Sequence, residues 1–150
     1  MEIIMKSKRL FGFSALVAAG LTLIGAPAIA ANAADISVQH EGPIAYAMGG
    51  IGKDEQMTMH HLAKQFPLRI AFSERKDNEF LADVPISITK QDGREIFKLS
   101  KAGPLLDLRL PNGTYRVTAR FSGRTESRKV TLGGKEAKNL YFHWEGQGNT

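Results

Sequence analysis

The feature that most narrows what this chain can fold into is a strict alternation of apolar and polar side chains after Pro67. Tyr115, Val117, Ala119 and Phe121 take every second position, with Arg116, Thr118 and Arg120 between them. The same period recurs in Leu68/Ile70/Phe72, Val84/Ile86/Ile88, Ile96 to Leu99, Leu106/Leu108/Leu110, the run ending in Val130 and Leu132, and Leu140/Phe142/Trp144. Successive side chains of a strand point to opposite faces, so each run has one face to bury. Turn formers separate the runs: Gln91-Asp92-Gly93-Arg94, Gly103-Pro104, Pro111-Asn112-Gly113-Thr114, Ser122-Gly123 and Gly133-Gly134. Asn-Gly and Ser-Gly accept the positive φ that tight hairpins need. Seven short strands with turn signals every eight to twelve residues predict a mainly β chain folded as a β-sandwich.

Ahead of Pro67 the period changes. Met59, Leu62, Ala63 and Phe66 fall at i, i+3, i+4, i+7, which predicts a helix over 53–66 with one apolar stripe. Asp54 and Glu55 lie in its first turn and Lys64 near its end, as the helix dipole favours. A helix this short needs a surface to dock on, and an end or edge of the sandwich is the expected place. Residues 34–52, with Gly42, Pro43, Gly49 and Gly50, read as an irregular arm.

That arm ends in Met48-Gly49-Gly50-Ile51-Gly52-Lys53, which superficially resembles a phosphate-binding loop. The comparison fails at both ends. The first glycine of a G-x-x-x-x-G-K-[ST] pattern would be Ala47, and Asp54 stands where a hydroxyl should bind magnesium. The glycines are read as the approach to the helix.

The beginning of the chain is read separately from the fold. Lys6, Lys8 and Arg9 precede an apolar run from Leu10 to Ile24, and Ala28-Ile29-Ala30-Ala31-Asn32-Ala33 offers cleavage after Ala30 or Ala33. That order predicts a secretory signal peptide over 1–33. The competing reading is an uncleaved anchor, for which the run is short against the roughly 20 residues that span a bilayer. Export to the periplasm or beyond is the expectation, with no transmembrane anchor after cleavage. The chain holds no cysteine, which removes thiol nucleophiles and thiolate metal sites and leaves stability to core burial.

Of the 150 residues, 20 are basic and 15 acidic, and the asymmetry is local. Residues 34–89 carry 5 basic against 8 acidic residues, whereas 90–138 carry 12 against 5. A basic half in an exported protein points to anionic envelope components, not to nucleic acid.

The segments FLADVPISITKQDGREIF and LLDLRLPNGTYRVTARFSGRTESRKVTL resemble the carboxypeptidase regulatory-like domain, a transthyretin-like (prealbumin-like) sandwich. Ala82-Asp83-Val84-Pro85 opens a strand, Asp92-Gly93 stands at a turn, and Pro111-Asn112-Gly113-Thr114-Tyr115 resembles that family's Pro-x-Gly-x-Tyr turn. The likeness covers about 68–132, within a domain taken as 67–145 followed by a frayed tail at 146–150. It implies a seven-stranded transthyretin-like (Ig-like) fold, with Pro111, Asn112, Gly113 and Tyr115 as structural residues, in small exported proteobacterial proteins. The family's domains are mostly non-catalytic, and fold does not fix function. Hydroxyisourate hydrolases share the sandwich but end in Tyr-Arg-Gly-Ser, where this chain has Tyr141-Phe142-His143-Trp144.

Residue patterns for chemistry are sparse. His60 and His61 are adjacent, so they diverge by about 100° on a helix and lack the i, i+4 spacing of a helical zinc pair. His40 and His143 would have to join them through the fold. No Gly-x-Ser-x-Gly elbow is present, and Asp107, between Leu106 and Leu108, is expected to face solvent and pair with Arg109 or a neighbouring strand.

The strongest lead is an outward basic stripe. A tight turn at Ser122-Gly123 sets Arg116 opposite Lys129, Arg120 opposite Thr125 and Phe121 opposite Arg124. Like charges across a ladder repel unless an anion relieves them; partial neutralisation by Glu126 and Glu136 is the competing account. Tyr141 and His143 form a second outward patch, expected to be covered by the arm or the helix. Arg116, Arg120, Arg124, Lys129, Tyr141 and His143 are therefore the candidate binding residues, with no catalytic residue, metal or cofactor expected. The expected function is a non-catalytic periplasmic binding or adaptor module, monomeric or weakly associating, that meets a protein partner by sheet edge or basic face. A module for carbohydrate or anionic envelope polymer is the alternative, and a transthyretin-like hydrolase the third.

Overall fold

The structure is a computed structural model, and it describes residues 35–75 and 77–145. The leader expected at 1–33, with its two cleavage points, and the tail expected at 146–150 lie outside the described residues.

The seven expected strands are present: β3 (Leu68–Glu74), β4 (Val84–Lys90), β5 (Glu95–Ala102), β6 (Leu105–Arg109), β7 (Gly113–Phe121), β8 (Arg124–Leu132) and β9 (Lys138–Trp144). Two more, β1 (Gln39–Glu41) and β2 (Ile44–Gly49), bring the described total to nine and correct the expectation of an irregular arm at 34–52. Gly42, at φ +56°, and Pro43 turn β1 into β2. Ile44 to Ala47 are buried one after another, so β2 lies with both faces covered and shows no alternation to read.

The strands form two sheets. One has five strands in the order β1-β2-β6-β3-β9, the other four in the order β5-β4-β7-β8. Their facing sides share one apolar core. The five-stranded sheet gives Ile44, Tyr46, Leu68, Ile70, Phe72, Leu106, Leu108, Phe142 and Trp144, and the four-stranded sheet gives Val84, Ile86, Ile88, Phe97, Tyr115, Val117, Ala119, Val130 and Leu132. Full burial of each Val, Leu, Ile or Phe side chain among them stabilises by about 1.5–3 kcal/mol. All pairings are antiparallel except β3 with β9, which run parallel from Leu68↔Lys138 to Glu74↔Trp144.

Helix α1 (Gly52–Leu62) continues into a 3-10 turn, Ala63–Gln65. It packs on the outer face of the five-stranded sheet, where Met59 and Phe66 meet Ala47 and Leu105, with Leu62 and Ile36 beside them. The expected docking at an end or edge is thus replaced by a sheet face. Ala47 is small beneath Met59 and Phe66, and a side chain at Gly49 would run into Ile36 and the Glu55 carboxylate. The strands are spaced ~4.8 Å apart and a helix is ~10 Å wide, so one helix covers only part of a five-stranded face.

The loop before α1 is the helix approach the sequence implied. Glu55 Oε2 accepts hydrogen bonds from the backbone N–H of Gly50 (2.9 Å) and of Ile51 (2.8 Å). The amides that a phosphate would need are already held by a carboxylate. The turn motif is structural as well: the Tyr115 hydroxyl donates to the Pro111 carbonyl at 2.6 Å, tying the β6–β7 turn to the buried ring.

Candidate functional site

Two surfaces concentrate exposed or unpaired polar chemistry, one on the outer face of each sheet.

On the four-stranded sheet the hairpin β7–β8 fixes the basic stripe. Ser122 and Gly123, with φ of +49° and +76°, form the tight turn. The register is the expected one: Arg116↔Lys129, Arg120↔Thr125, Phe121↔Arg124. Phe121 packs on Trp144 in the core, so Arg124 belongs to the inward parity and leaves the stripe. Arg116, Arg120 and Lys129 are exposed on the outer face.

Glu126 does not neutralise them. It lies opposite buried Ala119 and pairs at 2.8 Å with Arg128, whose guanidinium sits 5.3 Å over the Phe142 ring. Among the described residues Arg116, Arg120 and Lys129 make no ion pair. Glu95 is separated from Arg116 by strand β4, since both flank Thr89. Arg116 and Lys129 line a cleft of about 590 Å³ together with Lys90, Thr89, Gln91, Gly93, Thr114 and Tyr115. Lys90 was not picked out by the sequence: it pairs with Tyr115 and so has the inward parity of β4, and it reaches the cleft only at the end of the strand. Hydroxyl pairs extend the polar face, Thr118 with Ser127 at 2.9 Å and Thr114 with Thr131 at 3.0 Å.

On the five-stranded sheet, α1 leaves the outer face of β3 and β9 partly open. Three rows cross it. Asp107, Arg69 and Asn139 form the first, Leu105, Ala71 and Tyr141 the second, and Ser73 with His143 the third. Between the helix and β9 lies a cleft of about 270 Å³, lined by Gln56, Met59, His60 and Ala63 on one side and by Asp107, Arg69, Asn139 and Tyr141 among others.

Asp107 corrects the expectation of a solvent-facing carboxylate. It points outward from the sheet but is 4 % exposed. Burial pushes its carboxyl up to about 6, and the Arg69 guanidinium opposes this only in part. Nor does it pair with Arg109, whose Nη2 donates to the Gln65 carbonyl at 3.1 Å and whose guanidinium lies 5.4 Å over Phe66. Arg69 Nε donates to the Ala63 carbonyl at 2.9 Å. Two arginines thus satisfy carbonyls at the end of the helix.

Tyr141 is 58 % exposed, so the expected cover is absent there. Its ring stacks on His143 at 6.2 Å and 10°. His143 is half-buried, and its Nδ1 lies 2.6 Å from the Ser73 hydroxyl. Nucleophilic use of this pair would require a group to orient the imidazole from its other nitrogen, and no described carboxylate bonds His143. His60 lines the cleft, while no group of three or more His, Asp or Glu able to hold a metal ion occurs among the described residues. No helix among the described residues is long and apolar enough to cross a membrane.

No protein-family model matches this chain, and no curated protein matches it.

Proposed function

We propose that this chain is an exported, non-catalytic binding module that holds an anionic polymer of the cell envelope on the outer face of its four-stranded sheet. One observation carries the reading: Arg116 and Lys129 stand directly opposite each other, share a cleft with Lys90, and have no carboxylate partner among the described residues. A cross-strand pair of like charges opposes the hairpin that contains it. A polyanion lying along the face relieves that repulsion, and the arginine fork suits phosphate or carboxylate groups. At the edges of the four-stranded sheet, β5 carries Glu95, Lys98 and Lys101 and β8 carries Arg124, Arg128 and Lys129, which favours this sheet's face over its edges as the contact. Charged edges resist strand addition.

The export part of the reading rests on the basic-apolar-small order of residues 1–33. A transthyretin-like sandwich is the finer fold we propose. The tyrosine-closed turn at Pro111–Tyr115 and the two-sheet core support it, with β1–β2 as an addition to seven strands.

The test is co-sedimentation with isolated envelope fractions at low and high salt. Wild type is expected to bind at low salt and release as screening grows. The triple variant Arg116→Ser, Arg120→Ser, Lys129→Ser is expected to lose that binding, while Arg124→Ser keeps it. Equal retention of wild type and triple variant at both salt concentrations would sink the proposal.

A further inference from the structure

The cleft on the five-stranded sheet poses a different problem from the basic face. Asp107 is largely buried on its floor, its carboxylate accepts no hydrogen bond among the described residues, and its oxygens stay open to the cleft. Leaving a buried polar group unbonded is costly, and more so when it is charged. Arg69 stands directly opposite it in the register, yet none of its nitrogens comes within 4.0 Å of the carboxylate. Its Nε is spent on the Ala63 carbonyl, and its terminal amino groups bond nothing among the described residues. The two opposite charges therefore face one cleft with a gap between them.

We propose that this cleft binds the head group of a free α-amino acid, with the ammonium on Asp107 and the carboxylate on Arg69. The charges select the ligand. A simple cation would satisfy Asp107 but sit beside a guanidinium, and a simple anion would meet Asp107. A neutral polyol would bond both groups without compensating the buried charge. A zwitterion supplies a charge-assisted hydrogen bond to each, the stronger kind. Ala71 and Ala63 leave room where larger side chains would fill the cleft. Leu105 and Met59 give an apolar wall for the ligand's side chain, and exposed Tyr141 offers its ring at the rim. Asn139, next to Arg69 in the first row, can accept from the ammonium or donate to the carboxylate. A volume of about 270 Å³ suits one such molecule and no polymer. The site lies on the other sheet from the basic face and does not rest on the function proposed for that face.

Calorimetric titration of the purified protein tests it, using L-leucine, isopentylamine, 4-methylpentanoate and glucose in turn and then the remaining natural amino acids. At least one amino acid is expected to bind in the micromolar-to-millimolar range. The amine and the acid, each lacking one charge, are expected to bind about tenfold or more weakly than leucine if leucine fits, since each loses one charged hydrogen bond. Asp107→Asn, nearly isosteric, is expected to abolish binding of amino acid and amine alike. Arg69→Gln is expected to bring the amino acid down to the level of the amine while leaving the amine unchanged. Because Arg69 also caps the helix, Tyr141→Ala serves as a variant with no core role, expected to weaken binding with an unchanged circular dichroism spectrum. Glucose binding without amino-acid binding, equal amino-acid affinity in Asp107→Asn, or no heat from any amino acid would each overturn the proposal.

Discussion

Asp107 ionises inside a cleft that also holds Arg69 and His60, and its carboxyl is raised from 3.8 to about 6 by burial. Between pH 4 and 6 the folded chain keeps a proton that the unfolded chain has released. Stability therefore falls as pH rises through that window, is lowest above it, and is recovered below it. Two pH units at ~1.4 kcal/mol each set an upper bound near ~3 kcal/mol, and the opening of the cleft to solvent reduces it to about 1–2 kcal/mol. Asp107→Asn is expected to be more stable than wild type by that amount at pH 7.5 and no more stable at pH 4, as urea midpoints at the two pH values would show. A residue that lowers stability at neutral pH is what a ligand site retains. Little of this was legible in the sequence. Leu106-Asp107-Leu108 shows that Asp107 points away from the core, but a period of two cannot tell an outer face in water from one beneath a helix. The placing of Arg116, Arg120 and Lys129 on the outer face was legible because they lie on a local hairpin whose turn fixes the register, whereas exposed Arg124 takes the opposite parity because it follows Phe121.

Among the elements, the helix approach and the hairpin turns were readable from residues whose local chemistry decides the conformation, whereas β2 was not. Ile44-Ala45-Tyr46-Ala47 lacks alternation because α1 covers the face that water would otherwise wet. The helix itself depends on Glu55, which accepts from two amides that no helical carbonyl can serve. Glu55→Ala is expected to cost about 1–2 kcal/mol, at the upper end for a lost cap because the acceptor is charged. Glu55→Gln keeps the acceptor oxygen and is expected to cost about half as much. Chemical denaturation of both variants measures this, and equal stability of Glu55→Ala and wild type would mean that water serves those amides equally well. Its effect extends to function, since α1 supplies one wall of the amino-acid cleft.

For the whole molecule, the decisive contact is the parallel pairing of β3 with β9, which joins segments about seventy residues apart. No local pattern reports it. It carries Trp144 into the core, where the indole lies 6.2 Å from Phe72 and 5.8 Å from both Phe142 and Phe121. Its Nε1–H is buried without a hydrogen-bond partner among the described residues. Two effects of opposite sign therefore meet in one side chain. Trp144→Ala removes most of a large buried ring and is expected to cost about 3–5 kcal/mol. Trp144→Phe gives up part of the ring but also removes the unbonded N–H, whose burial costs about 1–3 kcal/mol. The two changes offset, so Trp144→Phe is expected to lie within about 1 kcal/mol of wild type. Trp144 is the only tryptophan, so the urea midpoints must be read by far-ultraviolet circular dichroism. A loss in Trp144→Phe close to that of Trp144→Ala would show that the volume of the indole, and not its unbonded N–H, governs how β9 closes the five-stranded sheet.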